Sequence, residues 1–146
     1  MELQLEGKKV IVSGGAKGIG ASIVKSFANE GAIPIILGRN PQEAKSLLEE
    51  IGVGHSFHLE LTNLEEIQQT AKKISEEIGI IDILVNNAGV NDGVSLSDTP
   101  SKFIESLQKN LIHPFALAHY FIEDLKKNKG CIINISSKVA VTGQGS

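Results

Sequence analysis

A single cysteine, Cys131, stands among the 146 residues, so an internal disulfide is unavailable and an oxidising compartment has no support. Long apolar runs are also missing, and none approaches the ~20 residues needed to cross a bilayer. The amino terminus, Met1-Glu2-Leu3-Gln4-Leu5-Glu6, lacks the basic start and apolar stretch of a secretory signal. These absences point to a cytoplasmic protein without a membrane partner. Charge of one sign is scarce too. The net charge is −3, the pI is near 5.8, and the basic residues are scattered, which leaves no footprint for nucleic acid. No metal site is expected, because His55 and His58 fall on opposite faces of a strand and His113 and His119 have no zinc-like companions.

What is present suits a globule. Hydrophobic residues make up 41% and charged residues 21%, and the length allows one domain over residues 1–146. Lys9-Val10-Ile11-Val12 is an apolar run that breaks into Ser13-Gly14-Gly15-Ala16-Lys17-Gly18-Ile19-Gly20, after which Ile19, Ile23 and Phe27 recur at helical spacing. Gly31 ends that helix, and Ile33-Pro34-Ile35-Ile36-Leu37 follows as a strand with Pro34 near its start. A short helix carries Ala44, Leu47, Leu48 and Ile51 on one face, and a brief strand surrounds Ser56-Phe57-His58-Leu59. Asn63 caps a third helix, whose stripe is Leu64, Ile67, Ala71, Ile74 and Ile78. Ile80 to Val85 is apolar enough for a strand covered on both faces. A helical pattern from Ser101 to Asn128 precedes a last strand, Cys131 to Ile135, in which Cys131 reads as a small buried residue. The stretch from Val139 to Ser146 reads as a loop. Strands alternating with helices predict an α/β fold, a doubly wound parallel sheet with right-handed crossovers.

A glycine-rich turn from strand to helix offers backbone N–H groups and the positive end of a helix dipole to an anion, with no Cβ to keep a pyrophosphate away. The spacing Gly14, Gly18, Gly20 is not G-x-G-x-x-G, and no Gly-Lys-Ser/Thr ending marks a nucleoside triphosphatase. Taken alone, the turn is compatible with close packing only.

That turn, followed by Asn86-Asn87-Ala88-Gly89, Asn110 and Asn134-Ile135-Ser136-Ser137, resembles the ordered signatures of the short-chain dehydrogenase/reductase family. The resemblance spans the whole chain. It implies a Rossmann-type sheet, here truncated after the fifth strand, binding NAD or NADP over the carboxyl ends of its strands. The implied coenzyme-binding residues are Ser13, Gly14, Lys17, Gly18, Ile19 and Gly20 in the turn, Glu60 and Leu61 near the adenine, and Asn87, Ala88 and Gly89 near the ribose.

The second strand ends Leu37-Gly38-Arg39-Asn40, with no carboxylate to bind a ribose 2′-hydroxyl and with the only arginine of the chain. Arg39, helped by Lys17, suits a 2′-phosphate, which favours NADP while leaving NAD possible. The alternative is that both cations are solvated surface charges.

By resemblance, the catalytic residues here are Ser137, which would hydrogen-bond the substrate oxygen, and Asn110, which would hold a water. Pro114 lies four residues after Asn110 and lacks an N–H, so within a helix it frees the Asn110 carbonyl. A helix beginning near Pro114 with Asn110 as its cap is the other possibility. The family's Tyr-x-x-x-Lys pair is absent: Tyr120 is the one tyrosine, and Asp124 stands four residues on. The pair would fall past Ser146. Asn87 to Gly93, Asn110 to His113 and Lys138 to Gly145 resemble the sugar-oxidising members, notably the L-fucose dehydrogenase group. The expected activity is hydride transfer between NAD(P) and a sugar or secondary alcohol. A non-catalytic dinucleotide-binding or subunit-interaction module is the alternative. An exposed last strand and a helix apolar on several sides predict a homo-oligomer.

Overall fold

Val10, Ile11 and Val12 are fully buried because β1, Lys9–Ser13, is the central strand of five and is covered on both faces. The computed structural model describes residues 3–142. Around β1 run α1 (Gly18–Asn29), β2 (Ile33–Gly38), α2 (Pro41–Ile51), β3 (His55–His58), α3 (Leu64–Glu77) and β4 (Ile83–Asn86). A long helix follows in three parts: α4 (Pro100–Leu107), a π-helical segment (Gln108–Ile112) and α5 (His113–Lys127). β5 (Cys131–Asn134) and the single turn α6 (Val139–Thr142) complete the described chain. All four strand pairings are parallel, in the order β3-β2-β1-β4-β5. Pro34 occupies the second position of β2.

Period-two alternation sends the strand side chains into two layers. Ile11, Ile35, Leu37 and Leu84 pack with Ile67 and Ile74 of α3 and Leu117 and Phe121 of α5. Val10, Val12, Ile36 and Val85 pack on the other face with Val24 of α1 and Leu47 of α2. Asn63 accepts the Glu65 and Glu66 amides, so the third helix starts where the sequence places its cap.

Two readings change, at Cys131 and at residues 139–142. The fully buried residues of α1 are Gly20 and Val24, with Ile23 and Phe27 partly buried against the same layer. Ile19 is 67% exposed, and Ile19, Ile23 and Phe27 line an open apolar groove of about 660 Å³ with Val85, Ile133 and Ile135. It faces the β5 side of the sheet, where no described helix lies over it. Cys131 is exposed because β5 is an edge strand whose four residues all reach solvent. Residues 139–142 form a helical turn, closed by the Val141 and Thr142 amides on the Lys138 carbonyl, too short to show a period. Gly143 to Ser146, also read as loop, lie outside the described residues.

Candidate coenzyme site at the carboxyl edge of the sheet

In a parallel sheet every strand delivers its following loop to the same edge. The chain runs outward in opposite directions from β1, to β2 on one side and β4 on the other, so the loops after β1 and β4 part at a topological switch point. Ser13 closes that crevice from below. Its buried hydroxyl donates to the Val85 carbonyl at 3.4 Å and accepts the Asn87 and Ala88 amides at 3.0 and 3.1 Å. The Asn87 carboxamide donates back to the carbonyls of Ser13 and Gly14 at 3.0 and 3.2 Å. Both residues therefore spend their side chains on joining the loop after β1 to the loop after β4.

The glycines follow from these close approaches. Gly14 has φ +64, and a Cβ there would come within 3.1 Å of the Ala88 Cα. A Cβ on Gly20 would overlap the Gly14 carbonyl and lie 2.7 Å from the Asn87 carboxamide nitrogen. The turn is thereby compressed, and α1 begins directly behind it. Helices α2, α3 and α4 start on the side-chain caps Asn40, Asn63 and Thr99, whereas α1 starts at Lys17 with no side-chain cap and no acidic residue in its first turn. Its first amides and dipole end are left for an anion, and the residues present fit a dinucleotide pyrophosphate. Gly18 and Ile19 lie at the exposed surface of this turn.

Arg39 leaves the end of β2 with 71% of its side chain exposed, and its Nη1 lies 3.6 Å from Glu60 Oε2. Lys17 Nζ, 80% exposed, lies 4.0 Å from Glu43 Oε1 in the first turn of α2. The fold thus brings the two cations and the glycine turn to one edge. Glu60 also accepts the Thr62 amide at 3.2 Å, while its own amide donates to Glu66 Oε2 at 2.7 Å. Leu61 is buried, with its side chain in the layer under α3 and α5.

Across the switch point, the long helix changes register rather than starting at Pro114. Asn110 sits in the π-helical segment, and its Oδ1 accepts the Val90 amide at 2.8 Å while its Nδ2 donates to the Ser106 carbonyl at 3.0 Å. Gly89 clears room for that contact, since a Cβ there would lie 3.1 Å from Asn110 Oδ1. Ser137 is exposed after β5, at the same edge. Tyr120 lies two turns along α5, edge-on to His119 with ring centroids 5.1 Å apart.

Residues that sequence reasoning did not connect to this edge are Glu43, Val90 and His113. Only His113 carried a signal: it stands immediately before a proline within a helical pattern. Among the described residues no group of three metal-ligating side chains occurs, and no helix is long and apolar enough to cross a membrane.

The short chain dehydrogenase family profile matches residues 8–146. A 3-oxoacyl-(acyl-carrier-protein) reductase of Aquifex aeolicus is 36% identical over 150 residues, covering 98% of this chain and 60% of that protein. An L-fucose dehydrogenase of Mus musculus is 32% identical over 140 residues, covering 94% of this chain and 51% of that one. Among solved structures, the L-sorbose reductase of Gluconobacter frateurii complexed with NADPH and L-sorbose superposes with a TM-score of 0.89 at 26% identity, over 97% of this chain and 57% of that one. The chain therefore spans between half and three-fifths of the length of these relatives.

Proposed function

The chain belongs to the short-chain dehydrogenase family, and on that premise we propose that residues 1–146 are the NADP-binding portion of a cytoplasmic oxidoreductase acting on a sugar or a secondary alcohol or carbonyl. The observation that carries this reading is the uncapped start of α1 behind a turn in which Gly20 admits no Cβ and Gly14 and Gly18 take positive φ, set at the point where the sheet reverses direction. When bound, NADP supplies hydride transfer; the chain supplies grip and orientation. Amides of residues 18–20 hold the pyrophosphate, Arg39 and Lys17 meet the 2′-phosphate, and Glu60 and the Leu61 backbone border the adenine. The loop Asn87-Ala88-Gly89 borders the ribose, with Asn110 fixing its far end through Val90. Ser137 hydrogen-bonds the substrate oxygen. NADPH in the L-sorbose reductase complex supports the coenzyme choice, and the sugar chemistry of that relative and of L-fucose dehydrogenase supports the substrate class.

Titration calorimetry tests the proposal. NADP should bind more tightly than NAD, and absence of heat with both, oxidised and reduced, on well-folded chain would overturn it. Turnover with sugars and secondary alcohols then separates enzyme from binding module.

The exposed apolar side chains Ile104, Leu111 and Phe115 along α4, the π-helical segment and α5, together with the uncovered β5 edge, favour a homo-oligomer and keep the subunit-interaction reading in play. Sedimentation velocity decides it, and a monomer at all concentrations would remove this part of the proposal.

A further inference from the structure

Pro114 creates a gap in the helix that the backbone has no means to fill. In an α-helix the Lys109 carbonyl accepts the amide of His113; in a π-helix it turns to the residue five places on, which is Pro114 and has no N–H. The wide register over Gln108–Ile112 therefore leaves the Lys109 carbonyl without a backbone partner. The structure places the His113 ring there, with Nε2 3.0 Å from that oxygen.

We infer that His113 is a positioning residue: its imidazole replaces the amide missing at Pro114, and so holds the π-helical register that aims Asn110 at the Val90 amide beside the coenzyme. The ligand side of this inference rests on the proposed NADP site; the register does not.

Three observations support it. First, a carbonyl only accepts, so Nε2 carries the proton, and Nδ1 is left as a bare acceptor. That atom is buried without a hydrogen-bond partner in a residue only 1% exposed. An apolar side chain of similar volume would fill the space without stranding a polar nitrogen, so packing alone gives no reason for histidine. Second, burial pushes the His113 pKa below its usual value, which keeps the ring neutral with the single N–H that the contact requires. Third, the contact it protects tolerates little rotation. One residue of helical register turns a side chain by about 100°, and Asn110 spans Val90 on one side and Ser106 on the other.

The test compares His113→Leu, which fills the volume without a donor, with His113→Gln, whose amide restores an N–H at similar reach. Hydrogen–deuterium exchange at the Val90 amide reads the register in the chain alone. Calorimetry with NADP and with adenosine 2′,5′-bisphosphate reads the consequence, because the smaller ligand reaches Arg39 and Lys17 but not the loop at Val90. His113→Leu should speed Val90 exchange and weaken NADP by roughly two- to tenfold, the range of one hydrogen bond, with the bisphosphate unchanged. His113→Gln should restore both. Unchanged Val90 exchange, equal weakening of both ligands, or a His113→Gln chain as impaired as His113→Leu would overturn the inference. If His113→Leu does not fold, His113→Met takes its place, and a folded, Val90-protected His113→Gln beside two unfolded apolar variants upholds the need for the donor. A wild-type chain that binds neither ligand ends the NADP reading and leaves the exchange result to decide the register.

Discussion

The Arg39 guanidinium lies 3.6 Å from the Glu60 carboxylate, so the cation suited to a 2′-phosphate is already paired in the free chain, as Lys17 is with Glu43 at 4.0 Å. All four side chains are exposed, and such pairs contribute about 0.2–1 kcal/mol each. Releasing a cation for the phosphate therefore costs little, but the cost falls on NADP alone. Glu43→Gln should tighten NADP by roughly 1.4- to 5-fold on that scale and leave NAD unchanged. Arg39→Ala should weaken NADP far more than NAD. Calorimetry of both coenzymes at low and moderate salt checks each, and equal effects on NAD and NADP would discard the phosphate assignment.

Gly20→Ala is a harsher change. The added methyl meets a carbonyl and a carboxamide that both belong to the join between the β1 and β4 loops. Overpacking of this kind costs about 1–3 kcal/mol, and the displaced turn should lose at least tenfold in dinucleotide affinity. Thermal unfolding and calorimetry measure the two effects separately. Wild-type affinity for both coenzymes would show that the turn does not hold the pyrophosphate.

Strands β1, β2 and β4 were legible because burial on both faces demands continuous apolar runs, and Pro34 and Asn63 fell where backbone chemistry puts them. The glycine turn was legible as a pattern, though the hydroxyl of Ser13 and the amide of Asn87 proved to serve the β1–β4 join. What failed was decided between distant segments. The period of Ile19, Ile23 and Phe27 marks α1 as a helix, but period does not say which side of it is covered. Cys131 looks like a core residue in any strand, and only the strand order makes it an edge. The π-helical segment has no sequence period of its own; Pro114 hinted at the disturbance, while its form depended on the His113 ring.

At the opposite edge of the sheet, Asp82 gathers the Lys8 ammonium, the Lys9 amide and the Asn128 carboxamide, each at 3.0 Å. It fastens the entry of β4 to β1 and to the end of α5. Asp82→Ala strands a backbone amide and removes a charge-assisted bond, which should destabilise the chain by about 2–3 kcal/mol. Urea unfolding measures this. NADP affinity should be unchanged in the folded variant, because the coenzyme edge lies at the other end of the strands; loss of affinity in step with stability would mean the two edges are coupled.

Two groups set opposite ends of the acid response. Burial holds the His113 pKa below 6.5, outweighing the Lys109 contact and the Glu60 charge, which both favour the protonated ring. Above pH 6.5 the ring is neutral folded and unfolded, so it contributes no slope. As pH falls below 6.5 the unfolded chain takes up a proton that the folded chain refuses, and stability declines until the folded ring also titrates. Asp98 acts lower down. The hydrogen bond from Lys102 and those from Ser95 lower its pKa from 3.8 to about 2, so its contribution is present above pH 3.8 and disappears as pH falls toward 2. Melting temperature against pH should therefore be flatter in His113→Gln than in wild type just below pH 6.5, and flatter in Asp98→Asn between pH 3.8 and 2. Identical curves for His113→Gln and wild type across pH 7 to 5 would show that the ring is not held neutral by burial.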